Sequence, residues 1–128
     1  MAIVRFDPFG TFAATRGPWI PAVDIYETDA HDVIIKAELP DMTREDIEVT
    51  VENDTLTLRG ERKMPEGIKD EQFRRVERIY GAFTRSFTLP NTVDAAKVSA
   101  EYKHGVLTVK LPFREEAKPR TINVEVAA

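Results

Sequence analysis

Two histidines, His31 and His104, two serines, Ser86 and Ser99, and no cysteine are the stock from which this chain of 128 residues would build a catalytic or metal site. A nucleophile needs a base beside it, and a metal needs ligands at short, regular spacing. The two histidines stand 73 positions apart in separate polar turns, Glu27 to His31 and His104-Gly105, so each reads as a turn residue. The carboxylates are numerous but scattered along polar strand faces. The glycines sit singly at turns, which excludes a phosphate loop or a dinucleotide glycine set. An enzyme is not expected, and neither is a metal or a cofactor.

One basic cluster invites a different chemistry. Arg74, Arg75 and Arg78 lie beside Phe73 and Tyr80, a combination that can grip single-stranded nucleic acid through charge and stacking. Glu71 and Glu77 interrupt it, and the whole chain carries a formal charge of -4 with a pI near 5.3. Nucleic acid is therefore not expected as the main partner.

At 42% apolar and 31% charged residues the chain has the make-up of one soluble domain with a core and short extensions. No apolar run is long enough to span a membrane. Asp7 and Pro8 occupy the place where a secretory signal would be apolar, and the lack of cysteine suits a reducing compartment. The expected location is cytoplasmic.

The elements follow a two-residue period. Val23 and Ile25 begin it after Pro21, and Val33, Ile35, Ala37 and Leu39 face one way against Ile34, Lys36 and Glu38. Thr43 to Asp46 forms one capped turn, in which the Thr43 side chain accepts from the Asp46 amide and Asp46 returns the bond. Ile47, Val49 and Val51 resume the strand pattern, Asn53-Asp54 turns it, and Leu56 and Leu58 carry it back. From Arg59 to Arg78 the pattern gives way to a charged excursion broken by Gly60, Pro65 and Gly67, either a solvated flap or an arm that pairs with another subunit. Phe83, Arg85, Phe87 and Leu89 then share one strand face. An arginine among phenylalanines needs a carboxylate when buried, so Arg85 is expected at an interface with an acidic partner. Val98 to Tyr102, the turn at His104-Gly105, and Leu107, Val109 and Leu111 make a closing hairpin ended by Pro112. The total is eight or nine short strands with almost no helix, an all-β sandwich.

Three pieces divide the chain: an arm over 1–18, the sandwich over 19–112 and an extension over 113–128. The arm holds Phe6, Phe9 and Phe12 on a stretch too short to bury them, either a disordered terminus or an adhesive segment. In the extension, Ile122 and Val124 are two apart and share one face of an extended chain, beyond a charged, Pro-punctuated linker. This is the geometry of a strand that docks an apolar pair into another sandwich.

Ala100, Gly105-Val106-Leu107, Val109 and Pro112 form a signature that resembles the end of the domain of the small heat-shock proteins of the α-crystallin family, in its bacterial and plant-like branch. Pro21 to Glu27, Lys36 to Pro40, Arg75 to Arg78, Gly81, Phe83 and Phe87 to Pro90 resemble it in the same order. The resemblance implies an immunoglobulin-like sandwich with flexible terminal extensions, and ATP-independent holding of unfolding clients that other, ATP-dependent chaperones refold. It implies a homodimer in which Phe73, Arg74, Arg75, Val76 and Glu77 enter the partner's sheet, with Arg85 at that interface. It further implies higher oligomers in which Ile122 and Val124 anchor in a groove of a neighbouring dimer formed by Ile47, Val49, Val51, Val98, Ala100 and Tyr102. Phe6, Phe9 and Phe12 are the expected client contacts. The chain departs from the family's pattern between Gly10 and Pro18, where a longer helical segment is usual; smaller or differently arranged assemblies follow. The alternative function is a self-assembling structural protein that holds no client.

Overall fold

The structure, a computed structural model, describes residues 19–127. Phe6, Phe9 and Phe12 lie outside them. Seven strands are named among the described residues: β1 (Val23–Glu27), β2 (Asp32–Glu38), β3 (Ile47–Glu52), β4 (Thr55–Arg62), β5 (Gly81–Thr88), β6 (Ser99–Lys103) and β7 (Val106–Pro112). They form two antiparallel sheets, one in the order β1-β2-β7-β6 and one in the order β3-β4-β5. The inward faces enclose one core in which Ile35, Ala37 and Leu39 meet Leu56, Leu58, Phe83, Val109 and Leu111. The fold is a β-sandwich, as the alternation implies.

Turn chemistry sets the register. Asn53 and Asp54 both take positive φ, 52° and 57°, which makes the two-residue turn that pairs Glu52 with Thr55. His104 (φ 53°) and Gly105 (φ 75°) do the same between β6 and β7, so the signature glycine is required by a left-handed backbone. His31 also has positive φ, 61°, and closes the β1–β2 turn. Both histidines are thus turn residues.

Four differences from the sequence reading are physical. Seven strands stand where eight or nine are expected, because residues 73–77 and 121–126 have no regular structure in the single chain. A strand needs a neighbouring strand to ladder with, and neither segment is in a ladder with another among the described residues. Second, β4 runs on to Arg62 instead of ending at Leu58: Gly60 and Arg62 continue the inward parity of Leu56 and Leu58, and β5 pairs along it as far as Arg62. Gly60 is no breaker here. A Cβ on it would lie 2.3 Å from the carbonyl oxygen of Asp46 and 2.8 Å from the Phe83 ring, so the strand stays regular while glycine lets the Arg44–Asp46 turn close over it. Third, that turn carries the expected capping box and more: the Thr43 N–H and the Thr43 hydroxyl both donate to the Asp46 carboxylate, at 3.1 and 2.9 Å, and the Asp46 N–H also reaches the Thr43 carbonyl. Fourth, Phe113 is tied to the body: it bridges Val93, its N–H donates to His31 O at 3.0 Å, and its ring lies 6.0 Å from that of His31.

Candidate functional site

Among the described residues, the two sheets of unequal width end in strands with one neighbour each, and the candidate surfaces lie at these edges. β3 borders the small sheet and β6 the large one, with no ladder between them. Between these edges runs an apolar groove of about 520 Å³ lined by Arg44, Ile47, Val49, Ala100, Tyr102 and Leu107. The Tyr102 hydroxyl donates to the Leu39 carbonyl and accepts from the Met42 N–H at 3.2 Å, which holds the ring in the groove wall. Of the residues expected there, Ile47, Val49, Ala100 and Tyr102 are brought together. Val51 and Val98 pack against the core from partly buried positions and do not line the groove. Leu107 and Arg44 do line it, and the sequence reading did not include them; Arg44 hides in a turn where parity says nothing. In the same chain Ile122, Val124 and Val126 are 78%, 87% and 92% exposed.

The long excursion after β4 is irregular apart from the 3-10 turn Asp70–Gln72. Phe73 and Val76 are half-buried, and Arg74 is bonded to the carbonyls of Glu71 and Gln72. Its other cations are largely engaged: Arg75 pairs with Glu77 at 3.6 Å and Arg78 with Asp41 at 2.9 Å. Hydrogen bonding to Asp41 raises the Arg78 pKa above its ordinary value.

At the neck of the excursion lies a residue that the sequence reading passed over. Arg62 is buried, donates through Nε to the Ile79 carbonyl at 2.7 Å and through Nη1 to that of Pro40 at 3.3 Å, and also bonds Ile79 O through Nη2. Burial first, then the nearby Arg78, push its pKa down, against Tyr80 and Asp41. The inward parity after Leu58 is the signal that would have found it.

Arg85 points inward from β5 and is half-buried. Its Nη1 donates to the Pro21 carbonyl at 3.2 Å and its guanidinium lies 5.2 Å from the centre of the Phe87 ring. No carboxylate among the described residues pairs with it. Large apolar side chains are exposed at and near β1, which has one neighbour: Ile20 is 75% and Ile25 51% exposed. Among the described residues no group of three or more His, Cys, Asp or Glu is placed to hold a metal, and no helix is long and apolar enough to cross a membrane.

Comparison with known proteins agrees with this architecture. The model of the Hsp20/alpha crystallin family matches residues 25–126. Spore protein SP21 of Stigmatella aurantiaca is 40% identical over 129 aligned residues, covering 95% of this chain and 76% of that protein. A small heat-shock protein from Xylella fastidiosa superposes with a TM-score of 0.71 at 39% identity, covering 84% of this chain and 98% of that one. Heat shock protein 16.0 from Schizosaccharomyces pombe gives 0.70 at 30% identity, covering 85% of each chain. Small heat-shock proteins are not enzymes, which agrees with the thin chemical stock of the sequence. The sandwich with its signature hairpin, together with these matches, makes the chain a member of the Hsp20/α-crystallin family of small heat-shock proteins.

Proposed function

We propose that the protein is an ATP-independent holding chaperone of the cytoplasm, which binds partly unfolded proteins through apolar surface and keeps them from aggregating until ATP-dependent chaperones take them over. The observation that carries this reading is the pairing of an open apolar groove between β3 and β6 with an apolar pair, Ile122 and Val124, left exposed on the same chain. A pair that cannot be buried at home is a plug for a second copy. Each buried side chain contributes about 1.5–3 kcal/mol before ordering costs, so one docking is weak and reversible while several in an assembly hold. Homodimers are built, in this reading, by residues 73–77 crossing to the partner's sheet, and Arg85, inward-facing without a carboxylate among the described residues, lies at that contact. Exposed Ile20 and Ile25, with Phe6, Phe9 and Phe12 of the arm, supply client surface.

The test is a client protein heated with and without this protein in the absence of nucleotide. Light scattering from the client falls with increasing amounts of the protein if the reading is right. A client trace unchanged at equimolar protein, with assembly intact, would leave a self-assembling structural protein instead.

A further inference from the structure

We propose that Arg44 sets the direction in which the 120–126 segment of a second copy lies in the β3–β6 groove, with Glu125 at the Arg44 end. The docked strand then runs antiparallel to β3 and parallel to β6. This rests on the reading of that segment as the groove's occupant and adds what orients it.

The apolar residues cannot choose a direction. Ile122, Val124 and Val126 are spaced by two and nearly equal in size, so the row reads much the same from either end. Charge is different. Arg44 is the one charged side chain among the residues lining the groove, and it is exposed, with no ion pair among the described residues. It marks one end: it precedes Ile47, and Tyr102, bonded to Leu39 and Met42 just before it, lies at the same end. Val51 and Val98 stand toward the other. The segment Arg-Thr-Ile-Asn-Val-Glu-Val carries Arg120 before its apolar row and Glu125 within its last turn of the period, about 17 Å apart when extended. One orientation sets Glu125 beside Arg44. The reverse sets Arg120 there, cation against cation. In the favoured direction Val126 lies nearest Ile47 and becomes a third apolar contact. Glu125 leaves the strand on the face opposite to Val124, so it meets Arg44 at the groove's rim, in water, where an ion pair is weak but sufficient to decide between two otherwise equal poses.

The experiment uses the full chain and reads the concentration midpoint of assembly by light scattering for R44E, E125K and the double variant. Each single reversal is expected to raise the midpoint about two- to five-fold, and the double to return it near that of the unaltered protein, as for an exposed pair. High salt narrows these differences. Single variants indistinguishable from the unaltered protein, or a double variant worse than either, overturn the assignment. The variant I122A/V124A separates the two levels: if it dissociates while R44E does not, only the orientation fails, and if it assembles normally, the groove reading fails and takes the orientation with it.

Discussion

The guanidinium carbon of Arg62 lies 4.6 Å from the centroid of the Trp19 ring. That ring packs edge-on against Phe83 at 5.3 Å, and its Nε1–H donates to the Gly81 carbonyl at 2.9 Å. Arg62, at the near end of the excursion, thus joins the first described residue of the chain to the excursion's far end at Ile79 and to the β2–β3 connection at Pro40. A strand residue on the core face acts as the clasp of the loop that follows it.

Arg62→Ala leaves the carbonyls of Ile79 and Pro40 short of donors and Trp19 short of its stacking partner. A loss of about 2–4 kcal/mol is expected, read as a lower urea midpoint at fixed protein concentration. Arg62→Lys keeps the charge but not the planar fork, so it falls between. An unchanged midpoint for the alanine variant would remove the clasp from the account.

Gly60→Ala places a methyl group against the Asp46 carbonyl and the Phe83 ring. Since a backbone atom must yield, the expected cost is about 1–3 kcal/mol, as in overpacked cores. Circular dichroism during heating checks it. A variant as stable as the original would mean that the Arg44–Asp46 turn moves away freely.

Asp46 has a carboxyl held below the ordinary value of 3.8, first by the Thr43 N–H and then by the Thr43 hydroxyl, with Lys63 at 3.4 Å adding to this against partial burial. A depressed folded pKa stabilises fully above the unfolded value and is lost as pH falls through the folded one. Stability measured from pH 6 downward should therefore drop more in the unaltered protein than in Asp46→Asn, and the gap should close below about pH 4. Parallel curves for the two proteins contradict this.

Ile122→Ala with Val124→Ala removes both apolar plugs while leaving the sandwich core untouched, because these side chains are exposed in the single chain. The expected result is a shift of mass toward dimers, seen by light scattering, with an unchanged unfolding midpoint of the dimer. A mass equal to that of the unaltered protein speaks against the groove as the site of assembly.

Much of the fold was legible because strands and tight turns are local: Val33 to Leu39 and Leu107 to Leu111 alternate in the letters themselves, and Asn53-Asp54 and His104-Gly105 announce their turns. Parity alone also sets Arg85 on the face of Phe83 and Phe87, where the structure has it half-buried. What parity cannot tell is which edge lies opposite which. β2 finds β7 some seventy positions away, and that pairing, with β6 on its far side, brings Ala100 and Tyr102 opposite Ile47 and Val49. Only then does a groove exist with Arg44 at its end; and only the folded chain brings Trp19, Pro40 and Ile79 around Arg62, and the Asp46 carbonyl and the Phe83 ring onto Gly60. The alternating letters determined the strands and their inner faces; the tertiary structure decided the neighbours, because contact between distant segments depends on how sheets stack and not on any period within one of them.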